Sequence, residues 1–255
     1  MLPSERQQQL LDFLLVKKSA TVQQLCRKLY ASAATIRRDL SQMERQGLLR
    51  RTHGGAAILE GGAGELSIIM RETRQVSEKN RIGELASCFV KDSYTVFLDS
   101  SSTACSLVPF LSKSKGVSVV TNGLHCALTL SQRTSCDVFI PGGQLVSRSN
   151  SVVGSDALSA LEGYCADVAM ISCSGLSLEM GVTEPSVEQS RMKRAMLCRS
   201  RTRILLCDHS KLGRAFLSRT CGPEEFDYVI TDRKPEEEYL RFYEATSCEL
   251  VWPEE

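Results

Sequence analysis

The chain has 255 residues, 42% of them hydrophobic and 24% charged, which suits one large domain or a small one joined to a larger one and excludes a low-complexity or disordered protein. No run approaches the roughly 20 apolar residues that cross a bilayer. The net charge of +1 hides an asymmetry: residues 1–60 carry +5 and the remainder −4, so a polyanionic partner is expected for the head alone.

Three helices are predicted in the first 46 residues. MLPSERQQQLLDFLLVKK has helically spaced Leu10, Leu11 and Leu14, with Ser4 and Gln7 as a capping box. It lacks the basic start and small-residue cleavage site of a secretion signal, so the cytosol is the expected compartment. Thr21 and Gln24 repeat the capping pattern before Val22, Leu25 and Leu29. Ser32 caps the third helix, whose Ala33, Ile36, Leu40 and Met43 share one face. At 100° per residue, Ala34, Arg38, Ser41 and Arg45 lie opposite Ile36, flanked by Thr35 and Arg37. A small, polar, cationic outer face suits a DNA groove, where arginines reach phosphates or the paired acceptors of guanine. Gly47 ends this helix, and LLRRTHGGAAIL reads as a hairpin that places Arg50, Arg51 and His53 beside the DNA backbone. Two capped helices, a cationic third and a basic hairpin form a winged helix-turn-helix.

TIRRDLSQMERQGLLRRTHGGA resembles the N-terminal domain of the DeoR family of bacterial transcriptional regulators; Thr35 to Leu40 and His53 to Ala56 match its motifs directly. That family commonly has Gly in the turn before the recognition helix. Tyr30 stands there in this chain, and Tyr does not readily adopt the positive φ that Gly tolerates.

LEGGAGE reads as a flexible connector. The expected boundaries are a DNA-binding domain at 1–58, a linker at 59–76 and a body at 77–255. In the body, EKNRIGELASCFV is helical. TVFLD, VSVVTNG, CDVFIPGG, DVAMISCSG, RILLCDHSK and FDYVITD are compact apolar runs ending in polar residues. Helical segments, among them 154–163 and 186–198, separate most of them, which predicts an α/β body with a largely parallel sheet. The eleven cysteines are scattered with no C-x-x-C and no zinc spacing, so reduced, mostly core thiols and no metal or cofactor are expected.

Ligands of open α/β sheets bind at the carboxyl ends of the strands. Here those ends carry Asp99 to Thr103 (D-S-S-S-T), Thr121-Asn122-Gly123, Gly142-Gly143, and Asp208 with Ser210 and Lys211. Four successive hydroxyls before a helix exceed what a cap requires and suit a phosphate or polyol. Glu188 and Lys193 are five apart on one helix and do not share a face.

LDSSST, VVTNG, PGGQL, VEQSRMKRAM and CDHSKLGR resemble successive blocks of the DeoR family's C-terminal sensor domain. The resemblance implies a sugar-phosphate-isomerase-like fold that binds a phosphorylated sugar or polyol. It makes Asp99, Ser102, Thr103, Thr121, Asn122, Gly123, Gly142, Gly143, Lys193, Asp208 and Lys211 the effector-site candidates. Lys193 or Lys211 would neutralise the phosphate, while Asp99 and Asn122 orient hydroxyls. Where the family commonly reads D-x-G-T-T, this chain has Ser101 and Ser102 in place of Gly and Thr. The expected function is a ligand-responsive repressor of a carbohydrate or polyol operon, binding double-stranded operator DNA as a homo-oligomer (dimer or tetramer), not an enzyme and with no membrane partner. Two alternatives stand on sequence alone: a sugar-phosphate isomerase with a DNA-binding head, because Asp99, Glu188 and Asp208 are available as bases, and an effector-independent DNA-binding protein.

Overall fold

The computed structural model describes residues 3–45, 48–58 and 68–254. The cap expected of Ser4, the stop at Gly47 and the LEGGAGE connector lie outside the described residues and side chains. The chain divides into two units, Met1–Met70 and Arg71–Glu255.

In the first unit α1 (Pro3–Lys17), β1 (Ser19–Thr21), α2 (Val22–Leu29) and α3 (Ala33–Arg45) precede a hairpin of β2 (Leu49–Thr52) and β3 (Gly55–Ile58). The apolar stripes close on one another: Leu10, Leu14, Leu25, Ile36, Leu40 and Met43 are all buried. Thr21 forms the expected capping box, its hydroxyl accepting from the Gln24 amide at 3.2 Å while the Gln24 side chain accepts from the Thr21 amide at 2.9 Å. The hairpin was expected, but β1 was not; it pairs with β3 and gives a three-stranded sheet of order β1-β3-β2.

Tyr30 follows α2 in the left-handed conformation, with φ of 51° and ψ of 40°, and its amide donates to the Cys26 carbonyl. The turn therefore keeps the geometry that Gly would give, at the steric cost a Cβ brings there, about 1–2 kcal/mol. The ring, 97% exposed, recovers none of it through packing. Tyr30→Gly is expected to stabilise the first unit by up to about 1 kcal/mol, because relief of strain exceeds the extra unfolded-state entropy of Gly. Urea unfolding followed at amides of the first unit measures it, and a net loss would show that the ring makes a contact of its own.

The helix α4 (Ile68–Glu72) carries the chain into the second unit. There follow α5 (Val76–Ser87), β4 (Thr95–Leu98), α6 (Ser102–Cys105), β5 (Ser118–Thr121), α7 (Leu124–Arg133) and β6 (Asp137–Phe139). A hairpin of β7 (Gln144–Val146) and β8 (Ser151–Val153) leads to α8 (Ser155–Leu161) and β9 (Ala166–Ser172). Then come β10 (Gly175–Ser177), β11 (Gly181–Glu184), α9 (Val187–Cys198), β12 (Ser200–Leu206), β13 (Ser218–Cys221), β14 (Tyr228–Ile230), α10 (Glu237–Glu244) and β15 (Glu249–Val251). Seven strands form one sheet in the order β15-β14-β12-β9-β4-β5-β6, every neighbouring pair parallel.

Both faces of that sheet are covered, which is why its strands read as continuous apolar runs. Phe97, Ala169 and Leu205 point into one core, and Val96, Leu98, Met170 and Leu206 into the other. From β4 the chain winds one way to β5 and β6, then returns past β4 to β9 and onward to β15. The winding reverses between β4 and β9, so the ligand crevice of such a sheet falls at the carboxyl ends of those two strands. Of the eleven cysteines, all free, only Cys126, Cys173, Cys207, Cys221 and Cys248 are buried; Cys88, Cys165 and Cys198 are exposed, which corrects the expectation of mostly core thiols.

Candidate DNA interface and ligand site

The inner face of α3 is fixed by its apolar stripe, and the outer face follows. Ala34, Arg37, Arg38 and Arg45 are exposed, with Thr35 and Ser41 half-buried. Ser32 caps the helix, its hydroxyl accepting from the Thr35 amide at 3.2 Å and lying 2.9 Å from the Thr35 hydroxyl. Arg50, Arg51 and His53 are exposed on the wing. Arg51 is tied to the helix: its guanidinium donates to Ser41 Oγ at 2.8 Å and its amide to Glu44 Oε1 at 2.7 Å. Sequence reading missed Asp39, which is buried on α3 and receives two hydrogen bonds from the Arg6 guanidinium at 2.6 and 3.2 Å. The pair fixes α1 against α3, and nothing in a T-I-R-R-D-L run distinguishes an inward Asp from a solvated one.

In the second unit, the crevice between β4 and β9 gathers much of the expected set. Asp99 follows β4; its Oδ1 accepts from the Ser101 amide at 3.3 Å and hydroxyl at 2.6 Å. Ser101 caps α6 by accepting from the Ala104 amide at 3.0 Å. Ser100 donates to Gln189 Oε1 at 3.2 Å, and Gln189 donates in turn to Ser149 and Ser151. The hydroxyl row therefore divides its work, and Ser102 alone of the four makes no hydrogen bond among the described residues. Thr121 and Asn122 are buried at the end of β5; Asn122 donates to the Val152 carbonyl at 3.1 Å while its Oδ1 accepts nothing among the described residues. Gly123 packs against Ser100, whose Cα would lie 2.8 Å from a Cβ there. Gly143 packs against β8, where a Cβ would lie 2.7 Å from the Val153 carbonyl oxygen and 3.2 Å from Val152, the residue to which Asn122 donates, whereas a Cβ at Gly142 would meet nothing within 4 Å.

Lys193 does not have the role expected of it. Its buried ammonium donates to the Ser172 carbonyl at 2.8 Å and to Glu184, and lies 3.0 Å from Asp99 Oδ2 in an ionic contact not aligned as a hydrogen bond. Two of its three donors are thus hydrogen-bonded, and the charge lies between two carboxylates. Burial would lower the Lys193 pKa, but Asp99 and Glu184 outweigh it and hold it raised. Lys193 is thus a structural cation between two buried carboxylates. Glu188, on the same helix, is exposed and accepts from Ser186 at 3.0 Å.

Lys211 donates to Thr103 Oγ1 at 2.9 Å and Ser172 Oγ at 2.8 Å and pairs with Asp208 at 3.2 Å. Burial pushes Asp208 up, but Lys211 and the Ser210 hydroxyl bring it below its ordinary value. Two of the three Lys211 partners are neutral hydroxyls, which an anionic oxygen replaces with a stronger, charge-assisted bond. A third lysine, Lys79 of α5, was not singled out in the sequence. It is buried, and among the described residues its ammonium donates only to the main-chain carbonyls of Arg71 and Arg74. Glu184 was also missed; it accepts from Ser174 at 2.7 Å and sits in the antiparallel sheet of order β10-β11-β13.

Comparison with known proteins joins the two halves. The family profile described as a DeoR-like helix-turn-helix domain matches residues 6–61, and that of the DeoR C-terminal sensor domain matches residues 74–233. The chain belongs to the DeoR family. Its relatives include the HTH-type transcriptional regulator GolR of Listeria innocua, 32% identical over 96% of this chain and 97% of that protein. The HTH-type transcriptional repressor GlcR of Bacillus subtilis is 32% identical over 100% of this chain and 98% of its own length. The glycerol-3-phosphate regulon repressor of Escherichia coli is 30% identical over 87% and 88%. Among solved structures, a D-ribose-5-phosphate isomerase in complex with phospho-erythronic acid aligns over 52% of each chain at 16% identity and a TM-score of 0.40. As a DeoR-family member the chain is a DNA-binding transcriptional regulator with a helix-turn-helix head and a sensor body. Among the described residues of this regulator, no helix is long and apolar enough to cross a membrane.

Proposed function

We propose that this DeoR-family regulator represses a carbohydrate or polyol operon and leaves its operator when a phosphorylated sugar or polyol binds the body. The observation that carries the reading is the convergence of Lys211, Thr103 and Ser172 at the switch point of the sheet, with a Ser102 hydroxyl and a buried Asn122 oxygen that have no hydrogen-bond partner among the described residues. Lys211, Ser102 and Thr103 hold the phosphoryl group, and Asn122 Oδ1 accepts from a ligand hydroxyl. Asp99, Thr121, Gly123 and Asp208 shape the crevice. The names of GlcR and of the glycerol-3-phosphate regulon repressor support repression and a phosphorylated effector.

The head binds DNA with Ser32, Ala34, Thr35, Arg37, Arg38, Ser41 and Arg45 toward the groove and Arg50, Arg51 and His53 on the backbone. The head spans residues 1–58, the linker 59–76 and the body 77–255. The protein works in the cytosol as a dimer or tetramer, since paired half-sites call for paired heads. It senses rather than catalyses: Asp99 and Glu184 are both bound to Lys193, and Asp208 to Lys211, so each carboxylate of the crevice is held by a cation instead of standing ready as a base. A phosphorylated effector is expected to raise the melting temperature and to weaken operator binding by about 1–3 kcal/mol, a typical coupling. A thermal-shift screen of sugar and polyol phosphates, followed by gel shifts and turnover assays with each stabilising compound, tests this. Stabilisation accompanied by sustained isomerisation would replace the sensor with an enzyme.

A further inference from the structure

Lys79 is 6% exposed, yet no described carboxylate pairs with it. Buried charges are normally paired, because desolvation of an unpaired ion costs several kcal/mol. Here two carbonyl dipoles stand in for a counter-ion, from Arg71 and from Arg74 at 2.7 Å. The third ammonium donor has no partner among the described residues, whereas Lys193 and Lys211 each add an ionic contact with a carboxylate to their two hydrogen bonds. Burial, and then the neighbouring Lys211, push the Lys79 pKa down to about 8, so near neutral pH the group remains mostly charged.

The main chain of Lys79 is joined to the crevice. Ser106 Oγ lies within donor reach of the Lys79 carbonyl at 2.7 Å and the Thr103 carbonyl at 2.6 Å, and Thr103 Oγ1 receives the Lys211 ammonium. Gly83 allows α5 to approach this closely, since a Cβ there would lie 2.4 Å from the Ser106 carbonyl oxygen. Lys79 thus stands with its backbone anchored beside α6 and its ammonium on the first residues of the second unit.

Building on the anion-binding reading above, we infer that Lys79 couples ligand to head: a phosphoryl group held by Lys211 takes its third donor, completes its shell, and clamps the carbonyls of Arg71 and Arg74. The anion supplies the missing counter-charge, keeps the ammonium protonated and fixes it in place, so both carbonyl hydrogen bonds stay charge-assisted and lose their freedom to open. Opening of the 71–74 segment then costs more with ligand than without. That segment follows directly on the last residues of the first unit, so ligand changes the order of the chain where head and body join.

The full-length protein provides the test, with sn-glycerol 3-phosphate, fructose 1-phosphate and inorganic phosphate as probes and glycerol and fructose as controls. Trypsin cuts after Arg71 and Arg74, and amide exchange reports residues 72–79. A phosphorylated probe that stabilises the wild type is expected to slow both cleavages by roughly fivefold or more, and the unphosphorylated controls to leave them unchanged. Lys79→Met, similar in volume, should cleave faster without ligand and show no slowing at saturating probe. Stabilisation of the wild type with unchanged cleavage and exchange overturns the coupling and leaves the sensor standing, as does protection that persists in Lys79→Met. No stabilisation by any phosphorylated probe overturns both.

Discussion

Lys193→Ala is expected to lower the melting temperature of the body by roughly 6–20 °C, a structural failure and not a selective loss of ligand response. The substitution removes the only cation that, among the described residues, is in contact with two buried carboxylates, Asp99 and Glu184. Breaking a buried pair from one side costs about 3–5 kcal/mol, because the partner is left charged and unsolvated. For a unit of this size each kcal/mol corresponds to about 2–4 °C. The sign of the pH dependence follows from the direction of the shift. The Lys193 pKa is raised in the folded protein, so its contribution is fully present below the unfolded value of 10.5 and is lost only as pH rises through the folded one. At neutral pH the wild type has all of it. Calorimetry of wild type and variant at neutral pH checks this. A variant melting within about 1 °C of wild type, with only its effector response lost, would return Lys193 to the ligand site.

Where the fold was legible, a single physical period carried it. Ile36, Leu40 and Met43 recur at helical spacing, and their burial forces Arg37 and Arg38 outward. The six expected strands all lie in the parallel sheet because burial on both faces leaves continuous apolar runs with polar ends. The elements that were missed have no such signature. β1 and β15 are three residues each and exist only through their partners, β3 and β14. The candidate site was half legible for the same reason. Asp99, Thr103 and Lys211 sit at strand ends, where position alone nominates them. Lys79 lies in a helix with charged neighbours and reads as solvated; its burial depends on Gly83 letting α5 approach Ser106, a contact far away in sequence. Glu184 follows a stretch that reads as turn, and it enters the sheet through the antiparallel pairing of β11 with β13, opposite Ser218. Lys193 was found but misassigned, because its two counter-ions come from β4 and β11 and no helical spacing reveals them.

Replacing Arg37 and Arg38 together by Ala should weaken operator binding by at least about tenfold at matched salt and leave the fold of the head intact. Both side chains are exposed and lie off the face that carries Ile36, Leu40 and Met43. The one hydrogen bond at these positions that holds the helix surface uses the Arg37 carbonyl, which accepts from Ser41 Oγ at 2.9 Å and survives truncation. Ala is moreover the better helix former, so propensity does not oppose the change. An arginine paired with guanine in the major groove discriminates by about 1–3 kcal/mol, and loss of two adjacent ones need not be additive. Specific and non-specific binding separate the roles. Loss of a base contact lowers affinity for a selected operator far more than for random duplex, whereas loss of a phosphate contact lowers both alike and flattens the salt dependence. Arg38 lies opposite Ile36 on α3 and Arg37 flanks that outer face, so the larger loss of discrimination is expected for Arg38→Ala. Titrations of wild type, both single variants and the double variant on operator and random duplex at two salt concentrations decide it. Equal operator affinity for wild type and the double variant would remove α3 from the groove.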